Sequence, residues 1–276
     1  DREAAGVGMQ DYVIELRRSY RFHPGGGISR VSAAVNSGDE AGASELLREG
    51  GFDDIKWMGL PTPRRLSEVL APYVVEGFGR YLETDDPAEA IRHFNEFRIL
   101  CAVREGPYGV THINSLAENI LRDNGTVSPG RVWYHGRPVM ITRNDCSLHL
   151  FNGDVGLAMS DPDSGGDIRV FFPGADGAAR KFHPMRLPEH ETVFATTVHK
   201  SQGSEFTKIL LILPDRPSPV LTRELIYTGI TRAREKVTVC TPEAVFRIAV
   251  ERRIKRTSGL RDALWGVGTP FTLNRP

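Results

Sequence analysis

The chain of 276 residues has few cysteines, no net charge and no long apolar run, and each absence argues against a class of protein. Its cysteines, Cys101, Cys146 and Cys240, are odd in number, far apart and outside any CxxC spacing, which predicts reduced, mostly buried thiols rather than disulfides or a metal site. No run of 18 apolar residues occurs, so no membrane span is predicted. Basic and acidic residues number 35 each, so overall charge indicates neither nucleic acid nor lipid, although a local basic channel fits this balance.

Three further features are missing from the sequence. It begins "DREAAGVGMQDY", with neither an initiator Met nor a signal segment, which we interpret as a cytoplasmic protein and an excised fragment. It contains no GxxxxGK[ST] loop and no cluster of carboxylates with a Lys of the kind a nuclease uses. The Gly-rich stretch "HPGGGIS" at 23–29 could form a phosphate nest, but it lacks the Lys of such loops, and an ordinary flexible turn is favoured.

Apolar runs that alternate with helical patterns predict an α/β fold with a parallel sheet covered on both faces. Strands are predicted at 12–16, 98–103, 192–198, 208–214 and 236–241, and helices at 28–35, 109–125, 222–236 and 242–256. The two parts of this domain are placed at 1–131 and 190–276.

Between these parts, short β-type runs are separated by turn signals such as "FNGD" and "DPDSGGD". They predict a small antiparallel barrel at 132–189, inserted into the α/β domain. The barrel could dock a protein, face DNA or act as a spacer. Arg143 and Asn144, at a strand end, are candidates for DNA contact, whereas Asn152 before Gly153 is equally well explained by turn chemistry.

Three clusters of polar residues are candidates for chemistry. "TTVHKSQGSEF" at 196–206 follows a predicted strand. In "LIYTGITRARE" at 225–235, Thr228 and Arg232 share one helix face, and an Arg beside an apolar helix body is costly to bury unless it meets an anion, although a solvated Arg is commoner. In "RRSYRF" at 17–22, Tyr20 offers a ring for stacking and Arg21 a guanidinium for phosphate.

In this order, "RRSYRF", "TTVHKSQGSEF" and "LTRELIYTGITRARE" resemble motifs IV, V and VI of superfamily 1 DNA helicases. With "LPEHE" just upstream of the second block, they are similar to the RecD family, the alpha subunit of exodeoxyribonuclease V. The resemblance implies the second of two RecA-like motor domains, with an SH3-like barrel inserted. It also implies ATP and Mg²⁺ as cofactors, in a site completed by a first RecA-like domain outside this chain, so that the fragment alone is expected to be inactive.

The resemblance also assigns roles to single residues. Tyr20 would pack on the nucleotide base or ribose, Arg21 and Arg232 would reach the γ-phosphate, and Glu205 would lie near the ribose or that phosphate. Thr197, His199 and Ser201 would contact the backbone of the tracking single strand, with Gln202 and Gly203 shaping the loop between the two sites. Lys200 is expected to be solvated.

The function implied is a 5′-to-3′ DNA helicase acting in double-strand-break repair and recombination with RecB-like and RecC-like subunits, any nuclease residing in a partner. A stand-alone RecD-like or relaxase-type helicase stays open. So does a non-enzymatic module that binds single-stranded DNA or protein, which would differ from a motor in having no GxxxxGK[ST] domain upstream.

Overall fold

A computed structural model describes residues 25–127, 132–174 and 177–254 as an α/β structure with two sheets. In chain order its strands are β1 Ile55–Met58, β2 Phe97–Cys101, β3 Arg137–Ile141, β4 Val155–Asp161, β5 Asp167–Pro173, β6 Ala179–Phe182, β7 His190–Thr192, β8 Ala195–Thr197, β9 Phe206–Ile212 and β10 Ala233–Cys240. Its helices are α1 Gly27–Ser37, α2 Glu40–Glu49, α3 Leu66–Phe78, α4 Pro87–Phe94, α5 Val110–Asp123, α6 Arg223–Ile230 and α7 Glu243–Glu251. No helix among the described residues is long and apolar enough to cross a membrane.

The first sheet has the order β1-β10-β9-β2-β8, and every neighbouring pair is parallel. Successive residues of a strand point to opposite faces, so its apolar strands feed two cores. Ile99 and Leu210 belong to the core that packs on α3, α4 and α5. Leu100 and Leu211 belong to the core that packs on α1, α2, α6 and α7. The predicted parallel sheet with both faces covered is confirmed.

The Gly-rich stretch leads into α1, and its described part does not form an open phosphate nest. The backbone N–H groups of Gly27 and Ile28 donate to the two carboxylate oxygens of Asp54, at 2.8 and 3.1 Å. Because Asp54 supplies the anion that a helix N-terminus favours, these donors already have a partner within the chain. The structure thus supports a structural turn here.

The second sheet is antiparallel and has the order β6-β5-β4-β3-β7. Four of its strands lie within the β-rich region predicted at 132–189, and the fifth, β7 at His190–Thr192, lies entirely after it. One side of it encloses a small core that includes Val139, Val170 and Phe172. The opposite side, with Leu157 and Phe171, joins the core beneath the parallel sheet. That the insert is a closed barrel of the SH3-like kind stays a prediction.

One predicted strand, 192–198, is wrong as a single element. The structure has two strands there, β7 in the antiparallel sheet and β8 in the parallel sheet, separated by Val193 and Phe194. Both linking residues are buried, since the chain passes through the shared core between the sheets. A continuous apolar run therefore did not reveal the change of sheet.

The helix predicted at 222–236 is also too long. It ends at Ile230, and β10 begins at Ala233. The Thr231 hydroxyl donates to the carbonyl of Tyr227, and the Phe206 N–H donates to the carbonyl of Arg232. Pairing with β9 thus draws Arg232 out of the helical path.

Candidate functional site

The cluster "TTVHKSQGSEF" forms the loop between β8 and β9. Since these strands run in the same direction, the loop leaves the carboxyl end of the parallel sheet after Thr197 and returns to its amino end before Phe206. Two tight turns fold it, with the Ser201 N–H donating to the Thr197 carbonyl at 3.1 Å and the Ser204 N–H donating to the Ser201 carbonyl at 3.0 Å. Gly203 has φ +88°, a conformation that glycine adopts readily, as its predicted role in shaping the loop requires.

Arg232 lies against the returning end of this loop. Its Nη1 donates to the carbonyl of Ser204 at 3.1 Å, and its Nε donates to the carbonyl of Thr228 at 3.3 Å. The half-buried guanidinium is therefore held by the loop and by the last turn of α6. Glu205, the next loop residue, pairs with Arg234 Nε at 3.0 Å. The structure thus brings Glu205 and Arg232, both predicted to serve the nucleotide, to the same edge of the sheet.

His199 lies at the leaving end of the loop and is exposed. It lines a groove of about 360 Å³ with Gln202, Val220 and Thr228. Thr228 therefore belongs both to this groove and, through its carbonyl, to the support of Arg232. The hydroxyl oxygen of the half-buried Thr197 accepts a hydrogen bond from the Lys200 N–H at 3.2 Å. The hydroxyl acts only as the acceptor in this bond.

Ser201 and Lys200 are placed differently from the expectation. Ser201 is 2% exposed, and its hydroxyl donates to the Val198 carbonyl at 2.8 Å. The hydroxyl thus holds the loop, and the predicted DNA contact of Ser201 has no support in this arrangement. Lys200 is not merely solvated, because its Nζ lies 2.9 Å from a carboxylate oxygen of Glu191.

The insert residues proposed for DNA contact lie just after β3. Arg143 is exposed, with its Nη1 3.4 Å from Glu189 Oε1. The Asn144 side chain accepts a hydrogen bond from the Asn152 N–H at 2.7 Å, so it closes the local loop. Asn144 therefore has a structural contact here, and a DNA contact stays a prediction for both residues.

Tyr20 and Arg21 lie outside the described residues.

Two charged residues that the sequence did not single out lie near the loop. Arg98 is buried in β2, and it lines a cleft of about 390 Å³ together with Ser204 and Glu205. Glu191 joins the insert to the loop through Lys200. An Arg inside the apolar run "FRILC" was the one available signal for Arg98.

Cys101 and Cys240 are buried free thiols as expected, whereas Cys146 is exposed. Burial raises the pKa of the Cys101 thiol, with Cys240 adding to the effect, so this thiol is protonated at neutral pH.

Comparison with known proteins defines the class of the chain. Residues 192–240, which contain the loop, Glu205 and Arg232, match the UvrD-like helicase C-terminal domain. The chain is 37% identical over 263 residues to the RecBCD enzyme subunit RecD of Mycolicibacterium smegmatis, covering 95% of this chain and 45% of that protein. It is 31% identical to the RecD subunit of Haemophilus influenzae, covering 91% of this chain and 41% of the relative. The chain belongs to the RecD family, and it spans less than half the length of these curated relatives.

Two further similarities are more distant. The ATP-dependent RecD2 DNA helicase of Deinococcus radiodurans is 30% identical over 159 residues, or 56% of this chain and 21% of that protein. Among solved structures, Pif1 helicase from Bacteroides in complex with ADP-AlF3 and ssDNA has a TM-score of 0.45 at 14% identity, covering 88% of this chain and 54% of that one.

Proposed function

We propose that this chain is the second motor domain of an ATP-dependent 5′-to-3′ DNA helicase that works in double-strand-break repair and recombination. The observation that supports this most is the course of the loop 198–205. It carries His199 at one end, and its other end, at Ser204, holds Arg232. One short segment thereby connects a candidate strand-binding groove to a candidate phosphate ligand.

The nucleotide would bind between this domain and a first RecA-like domain. ATP supplies a γ-phosphate whose charge grows over its oxygens during transfer, and a guanidinium provided across an interface stabilises that charge. Arg232 has a suitable position for this role, because two backbone carbonyls orient it. Arg21 would assist it, Tyr20 would pack on the base or ribose, and Glu205 with Gly203 would border the ribose or phosphate. We assign the Mg²⁺ ligands to the first domain.

Movement along DNA requires that nucleotide and strand favour the same closed state. The loop offers a physical route for this coupling. A strand that displaces His199 or Thr197 acts on the two turns that place the Ser204 carbonyl, and hence on Arg232. We expect RecB-like and RecC-like subunits as further partners, with any nuclease in one of them, and a cytoplasmic location.

Replacement of Arg232 by Ala in the full-length protein tests the nucleotide role. Turnover of ATP should fall by a hundredfold or more, on the order of known arginine-finger effects, while affinity for single-stranded DNA changes little. Arg247→Ala is a matched control, since this exposed Arg of α7 pairs with Glu40 of α2. Steady-state ATPase rates at the level of the unchanged protein would remove Arg232 from this role. The chain alone should show no ATPase activity that depends on Arg232.

Replacement of His199 by Ala tests the strand role. We expect weaker binding of single-stranded DNA and a lower unwinding rate per ATP hydrolysed, because the imidazole is exposed at the leaving end of the loop. Fluorescence anisotropy and a coupled unwinding assay measure these quantities. Arg247→Ala, on α7, again serves as the control. Unchanged DNA affinity and coupling in His199→Ala would contradict the assignment.

A further inference from the structure

Glu191 of β7 holds two cations that come from other elements. Its Oε1 lies 2.9 Å from Lys200 Nζ in the loop after β8, and its Oε2 lies 3.0 Å from Arg104 Nη2 in the loop after β2. Burial alone would raise the pKa of Glu191, but Lys200 and then Arg104 hold it below the ordinary value, so the carboxylate is charged at neutral pH. Each carboxylate oxygen is thus bound by a different cation.

The two cations lie at the carboxyl ends of neighbouring strands. β2 and β8 are paired in parallel with Cys101 opposite Thr197, and Arg104 and Lys200 each follow their strand by three residues. Lys200 is also the immediate neighbour of His199. Arg104 and Lys200 therefore sit at the edge of the sheet where we propose that the single strand runs.

The two cations already hold an anion with two oxygens, the Glu191 carboxylate. A phosphodiester presents two equivalent oxygens to cations, as a carboxylate does, and Arg and Lys bind both kinds of anion. The Glu191 side chain is 24% exposed, so solvent screens its ion pairs only in part, and a phosphate that takes its place must offer two oxygens to the same two cations. The exposed fractions are 54% for the Arg104 side chain and 35% for that of Lys200, which leaves both reachable from solvent.

A second ion pair belongs to the insert. Glu189 lies two residues before Glu191, just ahead of β7, and its Oε1 is 3.4 Å from Arg143 Nη1. The exposed Glu105 also faces Arg104, at 3.7 Å from its Nε. Together these two groups contain three cations and three carboxylates, so they have no net charge. Such a set attracts DNA only weakly until its carboxylates are displaced.

We propose that Arg104 and Lys200 bind a backbone phosphate of the single strand, and that Glu191 occupies this phosphate site when DNA is absent. Arg143 of the insert provides a further cation for the site, and Glu189 pairs with it when DNA is absent. This inference rests on the proposed function and adds to it a masked phosphate site at the junction of the two sheets. Glu191 weakens DNA binding in this scheme, whereas a purely structural Glu191 would support it.

The test uses full-length variants in which one charged side chain is replaced by the neutral side chain of Gln. A fluorescein-labelled oligothymidylate is the probe. Glu191→Gln should bind the probe about fivefold more tightly, because the competing anion is removed. Lys200→Gln should bind more weakly, and the slope of log K against log salt should become shallower by about 0.7, because one phosphate is no longer neutralised. Glu40→Gln is the control, since Glu40 also joins two elements through one Arg but lies on α2, which packs beside the opposite edge strand β1.

Equal or weaker binding by Glu191→Gln, or an unchanged salt slope in Lys200→Gln, would overturn the inference. If Glu191→Gln does not fold, the salt slopes of Lys200→Gln and Arg104→Gln decide the question, and unchanged slopes again overturn it. An unaltered protein that does not bind the probe at all would instead contradict the proposed function. Binding that does not respond to Glu191→Gln removes only the masked site.

Discussion

Arg98 shows how one charged residue can hold the interior of this fold together. It is 2% exposed, its Nη1 donates to the carbonyl of Val193 at 2.6 Å, and its Nη2 donates to Asn95 Oδ1 at 3.1 Å. The guanidinium carbon lies 4.4 Å from the ring centre of Phe94 and 5.1 Å from that of Phe206. Burial lowers the pKa of Arg98 to about 9, so it remains charged at neutral pH. Arg98 thereby fixes the link where the chain crosses between the sheets.

We expect Arg98→Lys to lower the free energy of unfolding by about 2–3 kcal/mol, because one ammonium cannot reach both acceptors and stack on the rings. Arg98→Met removes the charge but leaves the buried Val193 carbonyl without its donor, so we expect a loss of similar size. Urea denaturation measures both. Arg92→Lys on the exposed side of α4 is the control, with an expected change within about 0.5 kcal/mol. An Arg98→Lys variant as stable as the original protein would show that the bridging geometry contributes nothing.

At the scale of elements, α3 depends on a glycine for its approach to β2. A Cβ on Gly77 would lie 2.1 Å from Cδ1 and 2.5 Å from Cε1 of the Phe97 ring. Gly77→Ala would ordinarily stabilise a helix by about 1 kcal/mol, whereas forcing a methyl group into a packed core costs about 1–3 kcal/mol. We therefore expect a net loss of stability in denaturant unfolding.

The double variant Gly77→Ala with Phe97→Leu separates these effects. Removing the ring should recover part of the loss, giving a favourable interaction energy in the double-mutant cycle. Additive losses would show that the cost of Gly77→Ala does not come from the Phe97 ring.

Most elements could be predicted from local patterns, because strands and helices with apolar periodicity must bury those faces wherever they lie. The carboxyl end of α5 at Asn124–Gly125 is an example. The errors fall where a distant partner decides the outcome. Pairing with β9 ends α6 before Arg232, and Val193 changes sheets within a continuous apolar run.

The candidate site shows the same division. The single Gly of the loop indicated the sharp turn that the structure has at Gly203, whereas the chemistry suggested by the loop's composition stays a prediction. The direction of each side chain depends on tertiary contacts, which is why Ser201 turns inward and Lys200 meets Glu191. Spacing along the chain contains no information on such contacts.

At the scale of the whole molecule, the two sheets share one hydrophobic core. Met159 and Phe171 of the insert pack in the same cluster as Phe94 and Phe194. The Tyr81 hydroxyl also donates to the carbonyl of Gly136 at 2.6 Å, in the segment leading into β3. If either sheet loses its packing, the apolar side chains of the other sheet in this shared core become exposed. The insert and the parallel sheet should therefore unfold together.

Two tryptophans report on the two sheets separately. Trp57 lies in β1, whereas Trp133 packs against the core of the insert, with its ring centre 5.2 Å from that of His190. Variants with one reporter each, and with Trp265 replaced by Phe, should show the same denaturant midpoint for both. Met159→Ala should lower both midpoints together, through a loss of about 2–4 kcal/mol. Met185→Ala should leave both unchanged, since Met185 is 82% exposed. A Trp133 transition at lower denaturant than that of Trp57 would mean that the insert unfolds as an independent unit and that the shared core does not couple the two sheets.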